Sequence, residues 1–252
     1  GNPKVSIVIP NKDHLEDLQR CITSILDKTT YDNYEIVVVE NNSTTDEIYE
    51  YYKKIQEYDN IRVITYEDDF NYSKINNLGV ENAQGEYILL LNNDTKVITL
   101  DWIEELLMYA QREDVGAVGA KLYYEDKTIQ HAGVVLGLGA HRTAGHSHYR
   151  VSSNNLGYMG RLCYAQNVMA VTGACLMMKK SLYTELGGLD ENFAVSLNDV
   201  DLCVRAWKEG YVNVFTPFAE LYHYESVSRG LDDSGEKAAR YDRESEAFRA
   251  KW

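Results

Sequence analysis

Proline is scarce in this sequence, with 3 residues in 252, and basic residues are few. Disordered and linker segments are enriched in proline, so the low content favours a folded chain. The 25 Lys and Arg residues against 39 Asp and Glu residues leave a net charge of -14. This charge disfavours a nucleic-acid partner, because nucleic-acid binding depends on clustered Lys and Arg. An acidic protein that binds a polyanionic ligand needs a metal ion or local donors to offset the repulsion.

Long apolar runs are also missing. No run approaches the length of a transmembrane helix, and no signal peptide is visible. The four cysteines lack the paired spacing of a metal site. Cys21, Cys175 and Cys203 lie in apolar patterns, which predicts reduced cysteines in the core of a cytosolic protein. We therefore expect a cytoplasmic location, and peripheral contact with the inner face of a membrane is left open.

Two common nucleotide-binding motifs are absent. No strand-loop-helix unit opens with G-x-G-x-x-G, because Gly137, Gly139 and Gly145 lie in a segment without a strand or helix pattern. This disfavours a hydride-transfer enzyme with a dinucleotide cofactor. There is no P-loop either. The length of 252 residues is enough for one large α/β domain.

Buried strands alternate with amphipathic helices in the N-terminal part of the chain. The strands are predicted at residues 5–9, 35–39, 61–65 and 87–91. The helices are predicted at residues 14–27, 46–58 and 73–83, the last with Ser73 as its capping residue. This alternation predicts a parallel, doubly wound sheet, which binds ligands at the carboxyl ends of its strands. Polar residues fall at those ends: Pro10-Asn11, Glu40-Asn41-Asn42 and Asn92-Asn93-Asp94.

The second half is less regular. We expect helices at residues 101–112, 181–186 and 199–209, and strands at 115–122, 168–178, 211–215 and 220–222. Residues 131–161 are rich in Gly, His, Ser and Asn, which predicts long loops. Within them, residues 141–160 are predicted to form a mobile lid beside the acceptor, because long loops in compact domains are often functional.

The triplet Asn92-Asn93-Asp94 follows an apolar strand. Carboxylate and amide oxygens suit a hard cation, to which the phosphates of a ligand add further oxygens. Asn and Asp also favour turns, so the triplet alone fits a turn equally well. Its place at the end of a parallel strand favours a site.

A second acidic cluster, Asp199 and Asp201, opens a helix after Asn198. A carboxylate at a helix start is stabilised by the helix dipole, and Asn198 is a good capping residue. A carboxylate that faces a cleft can also act as a general base. Asp201 lies three positions after Asn198 and can reach back to the cap backbone. Both interpretations can hold for different residues of the cluster, and we assign Asp201 mainly to the helix start, with a contact to the acceptor left open.

His223 follows a predicted strand and precedes Ser226, Ser228 and Arg229. A lone histidine is more often packed or solvated than a ligand, and these neighbours suggest a polar loop over an anion. His141, His146 and His148 form a cluster without a standard metal spacing, so a polar lid is the favoured interpretation.

These motifs together carry a resemblance. VSIVIPNKD, IVVVENNSTTD, GEYILLLNNDT, VTGACLMMKKSLYTELGGLDENF, NDVDLCVRAWKEGY and LYHYESVSRG occur in the order and at the spacing of family 2 glycosyltransferases with the GT-A fold. The resemblance covers residues 4–229 and is closest to the enzymes of bacterial cell-surface polysaccharides and adhesin glycans. It implies an α/β fold with a Rossmann-like, mostly parallel sheet and a smaller mixed region on the acceptor side.

The resemblance also implies roles for single residues. The family's D-x-D metal motif corresponds to Asn92-Asn93-Asp94, so Asp94 is the main carboxylate ligand of Mn2+ or Mg2+. His223 matches the second metal ligand. Asp199 matches the catalytic base, and Asn198 replaces the glutamate that usually precedes it. The residues implied in nucleotide-sugar binding are Pro10, Asn11, Glu40, Asn42, Asn71, Lys74, Asn76, Asn92, Asn93, Ser228 and Arg229.

The function implied is inverting transfer of a sugar from a nucleotide-diphosphate donor to a glycan, glycoprotein or lipid-linked acceptor. A UDP-hexose is the favoured donor, followed by dTDP-rhamnose. We expect one domain with a nucleotide-sugar half at residues 3–95, an acceptor half at 96–230 and a C-terminal helix at 231–252 that continues into a longer protein. The alternatives are a sugar-phosphate nucleotidyltransferase, whose glycine-rich basic loop is missing, and a non-catalytic binding module.

Overall fold

The computed structural model describes residues 1–139, 141–225 and 235–252. Strands and helices alternate through its N-terminal part, as the sequence predicts. These elements are β1 (Val5–Asn11), α1 (Leu15–Lys28), β2 (Tyr34–Glu40), α2 (Asp46–Ile55), β3 (Ile61–Thr65), α3 (Tyr72–Asn82) and β4 (Tyr87–Leu91).

The second half adds eight strands and four more helices within the described residues. The strands are β5 (Thr95–Val97), β6 (Val115–Tyr123), β7 (Ile129–His131), β8 (Val134–Leu136), β9 (Ala144–His146), β10 (Gln166–Val168), β11 (Cys175–Lys179) and β12 (Val212–His223). The helices are α4 (Trp102–Ala110), α5 (Lys180–Glu185), α6 (Asn198–Lys208) and α7 (Gly235–Lys251), with a 3₁₀ turn at Tyr158–Gly160.

The main sheet has the strand order β10-β12-β6-β11-β4-β1-β2-β3, with β5 beside β12 and β7 beside β6. The four strands β3, β2, β1 and β4 are parallel, and β11 is antiparallel to both β4 and β6. The chain proceeds outward from β1 through β2 to β3 and then returns to the other side of β1 as β4. Such a reversal leaves a crevice at the carboxyl ends of β1 and β4.

Alternate residues of the strands pack on opposite faces of the sheet. In β1, Ile7 belongs to the core beneath α1, α2 and α4, whereas Val8 belongs to the core beneath α3 and α6. Gly79 allows α3 to lie close to the sheet, because a Cβ atom there would come within 2.3 Å of the Val8 side chain. The predicted doubly wound architecture is confirmed.

Several predicted boundaries are wrong. Residues 131–161 contain the two-stranded β8–β9 sheet, which the abundance of Gly and Ser concealed. The strand predicted at 168–178 is two strands, β10 and β11, separated by a turn. The strands predicted at 211–215 and 220–222 are one strand, β12, whose pairing with β6 shifts between Phe215 and Glu220. The mobility of residues 141–160 stays a prediction, which hydrogen exchange can measure.

The cap of α3 differs from the prediction. Asn71 caps the helix, since its side chain accepts a hydrogen bond of 3.0 Å from the Lys74 backbone N–H. Ser73 is fully buried and donates its hydroxyl to the carbonyl of Phe193 at 2.6 Å. Both residues can accept at a helix start, and the tertiary contact of Ser73 decides between them.

Helix α7 docks beside α6 through the fully buried carboxylate of Asp201. Asp201 accepts hydrogen bonds from Arg205 at 2.8 Å and from the indole of Trp252 at 2.9 Å, and it forms an ion pair with Lys251 at 2.8 Å. Its predicted role at the helix start is wrong, because the partners of the carboxylate lie on the next turn and on α7.

The length and polarity of the helices bear on membrane insertion. Within the described ranges, no helix is both long and apolar enough to cross a membrane.

Candidate active site

A cleft of about 330 Å³ opens at the carboxyl ends of β1 and β4, where the strand order reverses. Asn93 donates a hydrogen bond of 2.7 Å to the Asn11 side chain and so ties the two strand ends together. The size and position of the cleft suit a nucleotide. The cleft is lined by Pro10, Asn11, Lys12, Asp13, His14, Asn41, Phe70, Tyr72, Ile75, Asn92, Asn93 and Asp94.

Asp13 holds one wall of this first cleft, a role that the sequence analysis missed. Its Oδ1 accepts backbone N–H bonds from Thr44 at 2.7 Å and Thr45 at 3.2 Å. Burial acts to raise the pKa of Asp13, but these bonds outweigh it and lower the pKa. Asp13 and His14 both have positive φ, as does Asn42 after β2. Such backbone conformations are uncommon in these residues and often mark functional loops.

Five residues predicted to bind the nucleotide do not line the first cleft. Glu40 is buried and accepts the Ser43 backbone N–H at 2.5 Å. Asn42 donates to the carbonyls of Glu67 and Asp68, so it braces the neighbouring loop. The remaining three are Asn71, which caps α3, the exposed Lys74, and Asn76, which is fully buried and donates to the Tyr72 carbonyl. Ser228 and Arg229 lie outside the described residues.

Asp94, which lines the first cleft, lies beside His223. Nε2 of His223 lies 3.2 Å from Oδ1 of Asp94, and both side chains are almost fully buried. The hydroxyl of Tyr72 donates to the Asn92 amide oxygen, which turns the amide nitrogen toward Nε2 of His223 at 3.2 Å. Nε2 of His223 therefore faces both the Asn92 amide and the Asp94 carboxylate.

This pair fits a divalent cation. An imidazole nitrogen and a carboxylate oxygen that lie 3.2 Å apart can both reach one ion. Carboxylate is a preferred ligand of Mg2+ and Mn2+, and imidazole is a common ligand of transition metals. Within the described part of the chain, no cluster of three or more His, Cys, Asp or Glu side chains could hold a metal. A cation held by this pair therefore needs further ligands, and phosphate oxygens are of the type that Mg2+ and Mn2+ prefer.

A second cleft of about 320 Å³ adjoins the first and shares Tyr72 and Asn92 with it. Asp94 lines the first cleft and His223 lines the second, so the pair marks their junction. The second cleft is lined by Tyr72, Asn92, Gln130, Val134, Ala144, Gly145, His146, Thr172, Gly173, Ala174, Val195, Ser196, Leu197, Asn198, Asp199, Val200, His223, Glu225 and Tyr241.

Asp199 lies at the start of α6 and faces the second cleft. Its Oδ2 accepts the Gly173 backbone N–H at 2.7 Å, and its Oδ1 accepts the Val200 N–H at 2.8 Å. Each oxygen has two lone pairs and can therefore accept a further hydrogen bond. The structure therefore places a carboxylate, anchored by two backbone N–H groups, in the wall of the second cleft.

The loop that leads to Asp199 is held from α7. The buried carboxylate of Glu244 accepts the backbone N–H groups of Val195 at 3.2 Å and Ser196 at 2.7 Å. The next residue, Leu197, has a φ of 64°, which is rare for leucine and needs such support. Tyr241 of α7 also lines the second cleft. No local pattern in the sequence reveals these contacts.

Two solved structures share this architecture. The crystal structure of GalNAc-T7 with UDP, GalNAc and Mn2+ matches with a TM-score of 0.76 at 16% identity, over 97% of this chain and 48% of that one. The mannosyltransferase PcManGT of Pyrobaculum calidifontis, in complex with GDP-Man and Mn2+, matches with a TM-score of 0.71 at 14% identity, over 99% of this chain and 65% of that one. The fold is therefore that of a GT-A glycosyltransferase.

A family model confirms this assignment. The model of glycosyl transferase family 2 matches residues 6–187, and the chain belongs to this family. It is 46% identical over 254 residues to the uncharacterized protein y4gI of Sinorhizobium fredii, which covers all of this chain and 28% of that one. It is 38% identical over 235 residues to the O-antigen biosynthesis protein RfbC of Myxococcus xanthus, which covers 92% of this chain and 18% of that one. The chain thus spans less than a third of either relative.

Proposed function

We propose that this glycosyltransferase moves a sugar, with inversion at the anomeric carbon, from a nucleoside-diphosphate donor to a hydroxyl of a glycan, glycoprotein or lipid-linked acceptor. A UDP-hexose is the favoured donor, with dTDP-rhamnose second. The observation that carries the proposal is the junction of the two clefts, where Asp94 from one and His223 from the other lie 3.2 Å apart.

The division of roles follows from the two clefts. Pro10, Asn11, Asn92 and Asn93 contact the nucleotide in the first cleft, and Glu40, Asn42, Asn71, Lys74 and Asn76 shape or flank it. Asp94 and His223 hold Mn2+ or Mg2+, which supplies positive charge to the leaving diphosphate. Ser228 and Arg229 are proposed as further donors to the diphosphate.

Asp199 is the proposed general base. It takes the proton from the acceptor hydroxyl as that oxygen attacks the anomeric carbon. The hydrogen bonds from Gly173 and Val200 hold the carboxylate in place.

The relatives support a role in cell-surface polysaccharides. Besides RfbC, a segment of 71 residues is 35% identical to an N-acetylglucosaminyl-diphospho-decaprenol L-rhamnosyltransferase of Mycobacterium tuberculosis, over 28% of this chain and 23% of that one. That name supports a deoxyhexose donor and a lipid-linked acceptor. We place the reaction in the cytoplasm at the inner face of the membrane, with residues 3–95 as the donor half, 96–230 as the acceptor half and 231–252 as a C-terminal helix.

A donor-hydrolysis screen tests the proposal. The protein is incubated with UDP-, dTDP- and GDP-sugars in Mn2+, Mg2+ or excess chelator, and release of the nucleotide is measured. We expect turnover of a UDP-hexose or dTDP-rhamnose that chelation abolishes and that Asp94→Asn reduces strongly, whereas the exposed control Asp59→Asn leaves it unchanged. Nucleotide binding without turnover of any donor, or full turnover in chelator, contradicts the proposal.

A further inference from the structure

Two histidines lie against each other beside the second cleft, one fully buried and the other half-buried. His131 ends β7 and is fully buried, and His146 ends β9 and lines the cleft. Their Nδ1 atoms lie 3.0 Å apart, with the two rings nearly perpendicular. Neither residue has a role in the metal pair or in the proposed base.

The backbone around His131 determines which nitrogen carries its proton. Its Nε2 receives the backbone N–H of Gly133 at 3.3 Å and that of Thr172 at 3.5 Å. A backbone N–H can only donate, so Nε2 must be the acceptor. In a neutral imidazole the proton then lies on Nδ1, and Nδ1 donates to His146. Burial lowers the pKa of His131 well below its usual value, so the ring is neutral.

The state of His131 determines that of His146 in turn. Because Nδ1 of His146 accepts from His131, the proton of a neutral His146 lies on Nε2. Burial lowers the pKa of His146, although the carboxylates of Asp199 and Glu225 act in the opposite direction. No residue in the described part of the chain accepts a hydrogen bond from Nε2 of His146, and the residue lines the cleft.

We infer that His146 presents an Nε2–H donor to the second cleft, where it recognises a hydroxyl of a sugar, and that His131 is the positioning residue that orients it. The inference rests on the proposed function for the identity of the ligand as a sugar. Adjacent backbone N–H groups support the histidine pair and the proposed base, since Thr172 donates to His131 and the next residue, Gly173, donates to Asp199. The donor and the proposed base therefore keep a fixed spacing.

Nitrogen NMR of the protein labelled with ¹⁵N-histidine tests the tautomers without any substrate. We expect protonated Nδ1 and unprotonated Nε2 in His131, the reverse in His146, and a coupling between the two Nδ1 nitrogens across the hydrogen bond. A proton on Nδ1 of His146 overturns the inference. This result does not depend on whether the protein turns over any donor, so a failure of the proposed function is seen separately in the hydrolysis screen.

Two variants of His146 then test recognition. His146→Gln keeps an N–H donor near the Nε2 position, whereas His146→Phe keeps a ring and removes the donor. With the donor found in the screen, we expect His146→Phe to lower kcat/KM about tenfold, the scale of one hydrogen bond, and His146→Gln to lower it less. His148→Phe, on the segment after β9 and outside the lining of the cleft, is the control.

Two reactions show whether His146 contacts the transferred sugar or the acceptor sugar. Loss in donor hydrolysis, where water is the acceptor, identifies the transferred sugar. Loss only in transfer to a panel of p-nitrophenyl glycosides identifies the acceptor. Equal activity of wild type, His146→Gln and His146→Phe in both reactions overturns the inference, as does an equal loss in the two variants.

Discussion

Oδ2 of Asp199 accepts a hydrogen bond of 2.7 Å from the backbone N–H of Gly173, and Oδ1 accepts the Val200 N–H. Both oxygens of the carboxylate are thus engaged by backbone donors. An amide has one oxygen, so an asparagine here must turn its own donor toward one of these N–H groups. Asp199→Asn is therefore not a neutral replacement for folding, although the two side chains have nearly the same shape.

For Asp199→Asn we expect turnover to fall by about 10²-fold or more, because a general base is lost. We also expect the free energy of unfolding to fall by about 1 to 3 kcal/mol, because a buried backbone donor loses its acceptor. Nucleotide release and urea unfolding measure the two effects. Asp46→Asn, in the exposed first turn of α2, is the matched control. Near-normal transfer by Asp199→Asn would remove the base assignment.

For Asp201→Asn we expect a loss of about 3 kcal/mol in the free energy of unfolding. This is the scale for breaking a buried ion pair, and it exceeds the loss of about 1 kcal/mol for a helix cap. Trp252→Phe removes only the indole donor and should cost about 1 kcal/mol. Urea unfolding measures both variants, and a cost for Asp201→Asn no greater than that for Trp252→Phe contradicts this role for Asp201.

Asp94 and His223 should couple the cation to the nucleotide. We expect Mn2+ to strengthen UDP binding in the wild type. In Asp94→Asn we expect this strengthening to be smaller by about 100-fold or more, because loss of a direct metal ligand should exceed the roughly 10- to 100-fold loss seen when a group that only orients a ligand is removed. Calorimetry of UDP binding with and without Mn2+ measures the coupling. If Mn2+ strengthens UDP binding equally in Asp94→Asn and in Asp59→Asn, then Asp94 is not a ligand.

The stability of the domain should fall in acid partly through Glu35. The buried carboxylate accepts from the Ser6 hydroxyl at 2.5 Å and the Gln84 N–H at 2.6 Å, and Arg62 lies at 3.3 Å. Burial acts to raise the pKa of Glu35, but these partners outweigh it and lower the pKa. A lowered folded-state pKa means that the stabilisation is present above the unfolded pKa and is lost as the pH falls through the folded value.

We therefore expect Glu35→Gln to be less stable than wild type at pH 7, and to lose less stability than wild type between pH 7 and pH 3. Urea unfolding at the two pH values measures this difference. Glu50→Gln, an exposed replacement on α2, should follow the wild type. A parallel pH dependence of Glu35→Gln and wild type would show that other carboxylates dominate.

The sequence predicts the N-terminal half of the fold well, because the signal there is local. The apolar stripe of α1 and the buried run of β4 each specify an element without reference to distant residues. The carboxyl ends of β1 and β4 follow from the topology, so Asn11 and Asp94 could be placed at one edge. The family resemblance added the roles of His223 as a metal ligand and of Asp199 as the catalytic base.

The remaining features depend on contacts between distant segments. Nothing near Asp201 in sequence indicates that its partners are Lys251 and Trp252. The pairing of His131 with His146 likewise requires β7 and β9 to be placed beside each other. The position of β11, antiparallel between β4 and β6, also cannot be predicted from the periodicity of apolar residues along the sequence.

The order of the two clefts along the chain has a consequence for biosynthesis. The described lining of the first cleft comes from residues between Pro10 and Asp94, whereas the second cleft needs Tyr241 and the Glu244 contacts of α7. A ribosome releases the chain from its N-terminus onward. The lining of the first cleft therefore emerges while the partners of Ser196 and Asp201 are still unmade, and the second cleft reaches its final shape last.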